Sequence, residues 1–591
     1  MAAARAAGDI LRDDFHRPGG PRGKIDKAEA DVEAEWLIRR RLLEAFPDWG
    51  YLGEETGRAA GSPGAPIWLV DPNDGTRDYL VGRRGSAVSI GLLKDRRPVL
   101  GVVFAFGYPD DAGDLFAWAE GCGPVSRNGH AVEVELAPSL EATDVVLVSS
   151  KGDRAAEANL QCATPARYRP VPSIAHRLAL VAAGEAAAAT SIHGPGAWDY
   201  GAGHALLRGA GGALLDEAGR EIVYTEDGDS HALRAFAASP AVAAAIAPRP
   251  WQSALDTVVW PAGEGPVRLE KGRAVRDAAL LSRAQGCLLG QIAGDSLGSL
   301  VEFENGATIA ERYPQGPREL ADGGRWRTLA GQPTDDSEMA LALARSIVAR
   351  GGYEAVAAID AYREWYRSEP FDIGQTTRAA LVGYRMGESQ ANGSLMRVSP
   401  LGIFAHQLGP DRAAAVARED SALTHPNRVP CDAAAVFVVA ISHAIRHGDG
   451  PTAAYDAAVD WVRQNDVEPS VVGALEAARG APPVCDGANE GWVLIALQNA
   501  FFALLHARSL EDAIVETVRR GGDTDTNGAI AGALLGAVHG REAIPAQWRS
   551  MVLSCRPHPL RAPHPRPMTC WPGDVLELAE RLLLAGQAAG R

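Results

Sequence analysis

The hydrophobic period of this chain changes once along its length and does not change back. From about residue 28 to residue 240, helical stretches such as EADVEAEWLIRRRLLEAF alternate with β-branched runs such as IWLVD, SAVSIGLL, VLGVVFAF and DVVLVSS. From about residue 275 onward, Ala- and Leu-rich segments such as EMALALARSIVA and VLIALQNAFFALLHA repeat their apolar positions every three to four residues, and β-rich runs disappear. A mixed pattern and a purely helical one need different layer arrangements, so a single core cannot serve both. We therefore expect a multidomain chain, with a layered α/β domain over residues 1–246 and an all-α domain over residues 275–591. Residues 247–274 carry proline and glycine without clear periodicity, as a connector does. The 591 residues leave room for this, since a domain takes roughly 150 residues.

Composition narrows the classes of partner. The 58 basic residues are outweighed by 74 acidic ones, a net charge of −16 that argues against nucleic acid or an anionic membrane surface. Cys122, Cys162, Cys287, Cys431, Cys485, Cys555 and Cys570 form no C-x-x-C pair and read as structural thiols of a reducing, cytoplasmic setting. No signal-type apolar segment opens the chain, and no uninterrupted apolar run approaches the roughly 20 residues of a membrane span. The expected ligands are small molecules.

In the first half, Gly53-Glu54-Glu55 ends one segment, and the apolar strand Ile67 to Val70 runs into Asp71-Pro72-Asn73-Asp74-Gly75-Thr76. Two carboxylates delivered on a tight turn suit a hard divalent cation, although Asp-Pro and Asp-Gly also simply punctuate turns. Trp198-Asp199 opens a helical stretch, where the aspartate also suits an N-cap. In this order the three pieces resemble the inositol monophosphatase superfamily over roughly residues 20 to 245. Asp31 and Glu35, the Asn128-Gly129 turn and Ser173 add lesser matches. Asn73, Arg77 and the segment KIDKAEAD depart from the family wording.

The resemblance implies a sugar-phosphatase-like layered α/β fold and a phosphomonoesterase using two or more Mg²⁺ ions. By carry-over, Glu54, Asp71 and the carbonyl of Asn73 ligate the ion that activates water, Asp74 and Asp199 ligate a second, and Thr76 orients the water. Gly75 and Thr76 amides cradle phosphate, with Ser173 on the substrate side.

In the second half, Thr334-Asp335-Asp336-Ser337-Glu338 and Gly521-Gly522-Asp523-Thr524-Asp525-Thr526-Asn527 each precede an apolar-periodic helix. Each cluster alone reads as helix capping, through Asp335 with Glu338 or through Asn527. Two such clusters about 190 residues apart bring much like charge together unless cations compensate it. With Gly294-Asp295-Ser296, Glu302, Asn392-Gly393-Ser394-Leu395-Met396-Arg397 and Thr424-His425, this half resembles the ADP-ribosylglycohydrolase family over about residues 278 to 590. That resemblance implies two Mg²⁺ or Mn²⁺ ions on Thr334, Asp335, Asp336, Asp523, Asp525 and Thr526, with Asp336 also in the catalytic set. It implies Glu302 near the scissile bond, Asp295 in support, and Gly393, Ser394, Arg397 and His425 around the substrate. Gly286, Gly290, Gly294 and Gly298, four residues apart, read as a bare stripe for close helix packing.

The two resemblances together imply a bifunctional hydrolase acting on small phosphate esters and ADP-ribosylated substrates. Two other readings of the first half stay open: an inositol-phosphate phosphatase unrelated to ADP-ribose, and a ligand-binding domain without turnover.

Overall fold

The computed structural model describes residues 1–255, 267 and 269–590, which fall into two compact units, the second comprising Val267 and the chain from Asp277 onward. In the first unit the β-branched runs form an eight-stranded sheet whose centre is antiparallel: Asp114–Ala119, Arg97–Ala105, Ala87–Lys94 and Ile67–Asp74 lie side by side. Gly50–Gly53 adds to Ile67–Asp74 in parallel, with Gly53 opposite Val70. A second sheet of five strands holds Val145–Val148 between Arg167–Pro170 and Ala188–Ser191, all parallel.

The layering follows from which faces are apolar. Helices Ala2–Phe15 and Glu29–Ala45 cover the outer face of the large sheet, where Ala7, Leu11, Ala34 and Ile38 meet Val70, Ile90 and Phe104. Helices Ile174–Ala182 and Ala197–Gly209 are buried almost throughout and lie between the two sheets. A helix hydrophobic on all sides needs apolar neighbours on both flanks.

The segment expected to connect the domains is shorter than its composition suggests. Trp251 is fully buried against Phe236 and donates its indole N–H to the carbonyl of Ile246 at 2.9 Å, so the chain up to Leu255 belongs to the α/β core. Val275 is also buried in this unit, its carbonyl held by Arg84 at 2.7 Å. Residues 256–266 and 268 of the expected connector lie outside the described residues.

In the second unit every element of regular structure among the described residues is helical. Its axis is the pair Ala278–Gly298 and Thr524–His539. The glycine stripe lies along their contact: a Cβ at Gly286, Gly290, Gly294 or Gly298 would fall 2.0–2.4 Å from the backbone oxygens of Gly536, Gly532, Gly528 and Thr524. Helix Arg428–His447 is long and apolar enough to cross a membrane by mean hydropathy, although Asp432 interrupts its apolar run. Of its apolar window, 89% is buried within the protein, as in a core helix.

Candidate functional site

Strand Ile67–Asp74 pairs with Ala87–Lys94 through a register shift between Asp71 and Asp74, which brings both carboxylates to one end of the sheet. The parallel strand Gly50–Gly53 delivers Glu54 to the same end, its amide donating to the carbonyl of Val70 at 3.1 Å. Glu35, from helix Glu29–Ala45, accepts the amides of Glu55 at 2.7 Å and Thr56 at 2.9 Å and so fixes that turn. Asp199 sits in the first turn of Ala197–Gly209 rather than at its N-cap, which is Gly196, and accepts the Gly196 amide at 2.8 Å.

Glu54, Asp71, Asp74 and Asp199 thereby come together at one end of the sheet, Asp71 buried, Asp74 and Asp199 half-buried and Glu54 on the more open side. Burial, then repulsion from Glu55, Asp74 and Glu35, pushes Glu54 up to about 7, even though Asp71 shares a hydrogen bond with it. Asp71 and Asp199 are held well above the usual carboxylate range, first by burial and then by their acidic neighbours. Asp74 is raised less, because the Ser173 hydroxyl and the Ala175 amide donate to its Oδ2 at 2.5 and 2.7 Å. An all-oxygen set of four carboxylates, with Arg177 as the nearby cation acting on Asp74, fits a hard divalent cation.

Beside this nest, Asp31 accepts the Asn73 side-chain amide at 2.9 Å and the Thr76 hydroxyl at 3.0 Å, and burial pushes Asp31 up to about 7. The carbonyl of Asn73, expected as a metal ligand, also lies 3.0 Å from the Thr76 hydroxyl, so Asn73 ties Thr76 to Asp31. Ser173, expected on the substrate side, is fully buried and serves Asp74 and the start of helix Ile174–Ala182 instead. Gly75 takes a left-handed φ of 102° that lets the strand turn into helix Thr76–Leu80.

In the helical unit, a cavity of about 270 Å³ is lined by Glu302, Asp335, Asp372, Gly393, His425, Asp523, Asp525 and Thr526, among others. Carboxylate oxygens of Glu302, Asp372 and Asp525 lie within 4.8 Å of one another. Burial and the charges of Asp372 and Asp523 push Glu302 up to about 8, against the hydrogen bond its Oε2 accepts from Trp326 at 2.8 Å. Asp335, Asp336 and Asp525 are held well above the usual range, first by burial and then by one another and by neighbouring carboxylates. Asp336 Oδ1 is buried with no partner among the described residues, an acceptor left for a cation. This nest too fits divalent ions.

Several residues take other places than the sequence suggested. Thr334 is the N-cap of helix Asp335–Arg350, and its hydroxyl lies 2.9 Å from both Asp295 and Asp336. Asp295 also accepts the amides of Thr334 and Ser337, so it anchors that helix start from within the core rather than meeting a substrate. Glu338 is no capping-box partner: it is buried in a two-armed ion pair with Arg566. Asn527 is inside helix Thr524–His539, whose N-cap is Asp523. Arg397 is fully buried on Asp420 and Thr424 and cannot reach a substrate, and the Ser394 hydroxyl is turned onto Ser421.

Asp372 and Thr377 line the cavity and were not anticipated. Asp372 lies in the loop EPFDIGQ and Thr377 in the short helix Gln375–Leu381, and neither belongs to a motif with ligand spacing.

The inositol monophosphatase family model matches residues 1–252 and the ADP-ribosylglycohydrolase model matches residues 276–590. ADP-ribosyl-[dinitrogen reductase] glycohydrolase of Rhodospirillum rubrum is 31% identical over 280 residues, covering 45% of this chain and 89% of that protein. Inositol monophosphatase 1 of Solanum lycopersicum is 33% identical over 244 residues, covering 38% of this chain and 85% of that protein. Among solved structures, an ADP-ribosylglycohydrolase-related protein complex is similar at 29% identity and a TM-score of 0.43, covering 52% of this chain and 98% of the other.

Proposed function

Because the chain belongs to the inositol monophosphatase family through its first unit and to the ADP-ribosylglycohydrolase family through its second, both hydrolase families, we propose that it is a bifunctional metal-dependent hydrolase. The first unit is a phosphomonoesterase for nucleotide or sugar phosphates, with two or more Mg²⁺ ions on Glu54, Asp71, Asp74 and Asp199. The second cleaves N- or O-glycosidic ADP-ribose bonds, with two Mg²⁺ or Mn²⁺ ions among Asp335, Asp336, Asp523, Asp525 and Thr526. What carries the reading is that each unit gathers its own nest of carboxylates, whose proton affinity rises first through burial and then through their mutual repulsion.

Divalent ions bound there supply a more acidic water and neutralise developing negative charge. The protein's own part in phosphate release falls to Thr76, whose hydroxyl, fixed by Asp31 and the Asn73 carbonyl, holds the attacking water in line. Asp31 Oδ2, on the far side of that hydroxyl, receives the proton. In the second unit Glu302 faces the cavity beside Asp372 and Asp525 and exchanges a proton with the leaving group, while the ribose carbon passes through an oxocarbenium-like state that nearby carboxylates favour.

Joining two activities in one chain raises the concentration of each near the other, a benefit greatest when they share a substrate. A phosphorylated ADP-ribose-type molecule is such a substrate.

The test measures phosphate release from 2′- or 3′-phosphonucleotides and ADP-ribose release from ADP-ribosylated peptides in one preparation. Asp74→Asn should lower the first about a hundredfold and spare the second, and Asp336→Asn should do the converse. Loss of both activities in either variant, or of neither, would refute two independent sites.

A further inference from the structure

Behind the cavity of the helical unit runs a buried chain of hydrogen bonds that hydrolysis, as described, does not use. Asp420, fully buried in helix Pro410–Ala422, accepts the Tyr362 hydroxyl at 2.9 Å and Arg397 Nε at 3.0 Å, and its carbonyl accepts Arg397 Nη2 at 2.9 Å. The Arg397 guanidinium stacks 4.4 Å from the centre of the Tyr362 ring. Arg397 Nη1 donates to Thr424 Oγ1 at 2.7 Å, and Thr424 Oγ1 lies 2.8 Å from His425 Nδ1.

This chain has one direction. A guanidinium only donates, so Thr424 Oγ1 accepts from Arg397, and among the described residues its single proton has His425 Nδ1 as its one other partner. Nδ1 is then an acceptor, and the ring proton sits on Nε2. Burial, reinforced by the Arg397 cation, holds the imidazole neutral, with its pKa lowered to about 3. His425 Nε2 is buried with no partner among the described residues, and so is Thr377 Oγ1; both residues line the cavity. Gly393 lies between them: a Cβ there would fall 3.1 Å from Thr377 Oγ1 and 3.3 Å from His425 Nε2.

Resting on the reading of this cavity as a ligand site, we propose that Asp420, Arg397 and Thr424 are positioning residues that preset His425 as a neutral Nε2–H donor. With Thr377, that donor receives a hydrogen-bond-accepting oxygen of the ligand, a ribose hydroxyl or a phosphate oxygen. The arrangement separates two tasks in a small acidic space. A histidine with a free nitrogen lone pair would ligate the cations that the carboxylates attract, and an imidazolium would pair with the carboxylates themselves. A ring with Nδ1 occupied and Nε2 protonated does neither.

The experiment uses the full-length protein with ¹⁵N-labelled histidine, the His425 signals being identified by their loss in His425→Gln. Wild type and Thr424→Ser should show the Nε2–H tautomer, and Thr424→Val, which keeps the shape without the hydroxyl, a tautomer mixture. Calorimetry with ADP-ribose in the presence of Mg²⁺ should show about tenfold weaker binding for Thr424→Val and recovery in Thr424→Ser. The same loss with inorganic pyrophosphate identifies the received oxygen as phosphate, and a loss confined to ADP-ribose identifies it as a ribose hydroxyl. An Nδ1–H ring in wild type, or an unchanged tautomer in Thr424→Val, would overturn the proposal. If wild type binds no ADP-ribose, the reading of the cavity falls, and the ¹⁵N spectra still decide whether the chain sets the tautomer.

Discussion

At the scale of residues, carboxyl groups in and beside each nest hold their protons more tightly in the folded protein than in the unfolded chain, Glu54 and Asp71 in one and Glu302 and Asp525 in the other. Glu54, Asp31 and Asp295 are raised to about 7 and Glu302 to about 8. A carboxyl raised on folding contributes stability that is complete below its unfolded pKa, near 4, and is lost as pH climbs through its folded value. In EDTA the protein should therefore lose thermal stability steadily between about pH 5 and pH 8, the reverse of a protein stabilised by salt-bridged carboxylates. Mg²⁺ or Mn²⁺ should flatten that decline, because ions replace the protons that are lost. Melting temperatures across this range with and without chelator provide the measurement, and a metal-free protein equally stable at pH 5 and pH 8 would contradict the assignment. Arg397 carries a different lesson at this scale. Its fork-shaped guanidinium suits phosphate, and the family resemblance placed it around the substrate. Its partners Asp420 and Thr424 lie in another helix and its following turn, and only their packing shows that Arg397 acts inward.

At the scale of elements, the helix pair Ala278–Gly298 and Thr524–His539 holds the acidic segment Asp523–Thr526 in place, since Asp525 and Thr526 are the first turn of the second helix. The two backbones approach so closely that even a methyl group at Gly290 would meet the Gly532 carbonyl oxygen at 2.3 Å. Gly290→Ala should therefore destabilise the helical unit by about 2–3 kcal/mol through overpacking against rigid backbone. Denaturant unfolding measures this, and a neutral effect would mean that the helices can move apart. The stripe itself was legible in the sequence because its four-residue spacing is local. That its partner is the helix carrying the second acidic cluster was not, since the contact joins residues more than 200 positions apart.

At the scale of the whole molecule, two units with separate cores and separate acidic nests should unfold as two events. Calorimetry should resolve two transitions, both moving up with Mg²⁺. Asp74→Asn should remove the metal response of one and Asp336→Asn that of the other, whereas one cooperative transition would show the units to be energetically inseparable. Family and fold class were readable along the chain at this scale, because Gly53-Glu54-Glu55, the Asp71 to Thr76 turn and the two acidic clusters are each contiguous. The boundary was less so: Trp251 lies in a Pro-rich stretch whose composition reads as connector, yet its indole completes the core beside Phe236.

The sequence by itself determined the kind of atoms available and their local order: oxygen donors at strand and helix starts, helical or mixed periodicity, and glycine at helix-packing intervals. Those properties depend on neighbours a few residues away, within the reach of one turn or one strand. Only the tertiary structure decided which donors share a space. Asp372 joins Glu302 and Asp525 from an unremarked loop, Arg397 turns away from the cavity, and Ser173 serves Asp74 instead of a substrate. The physical reason is that burial, which raises these carboxyls and orders their hydrogen bonds, is created by packing between segments far apart in the chain.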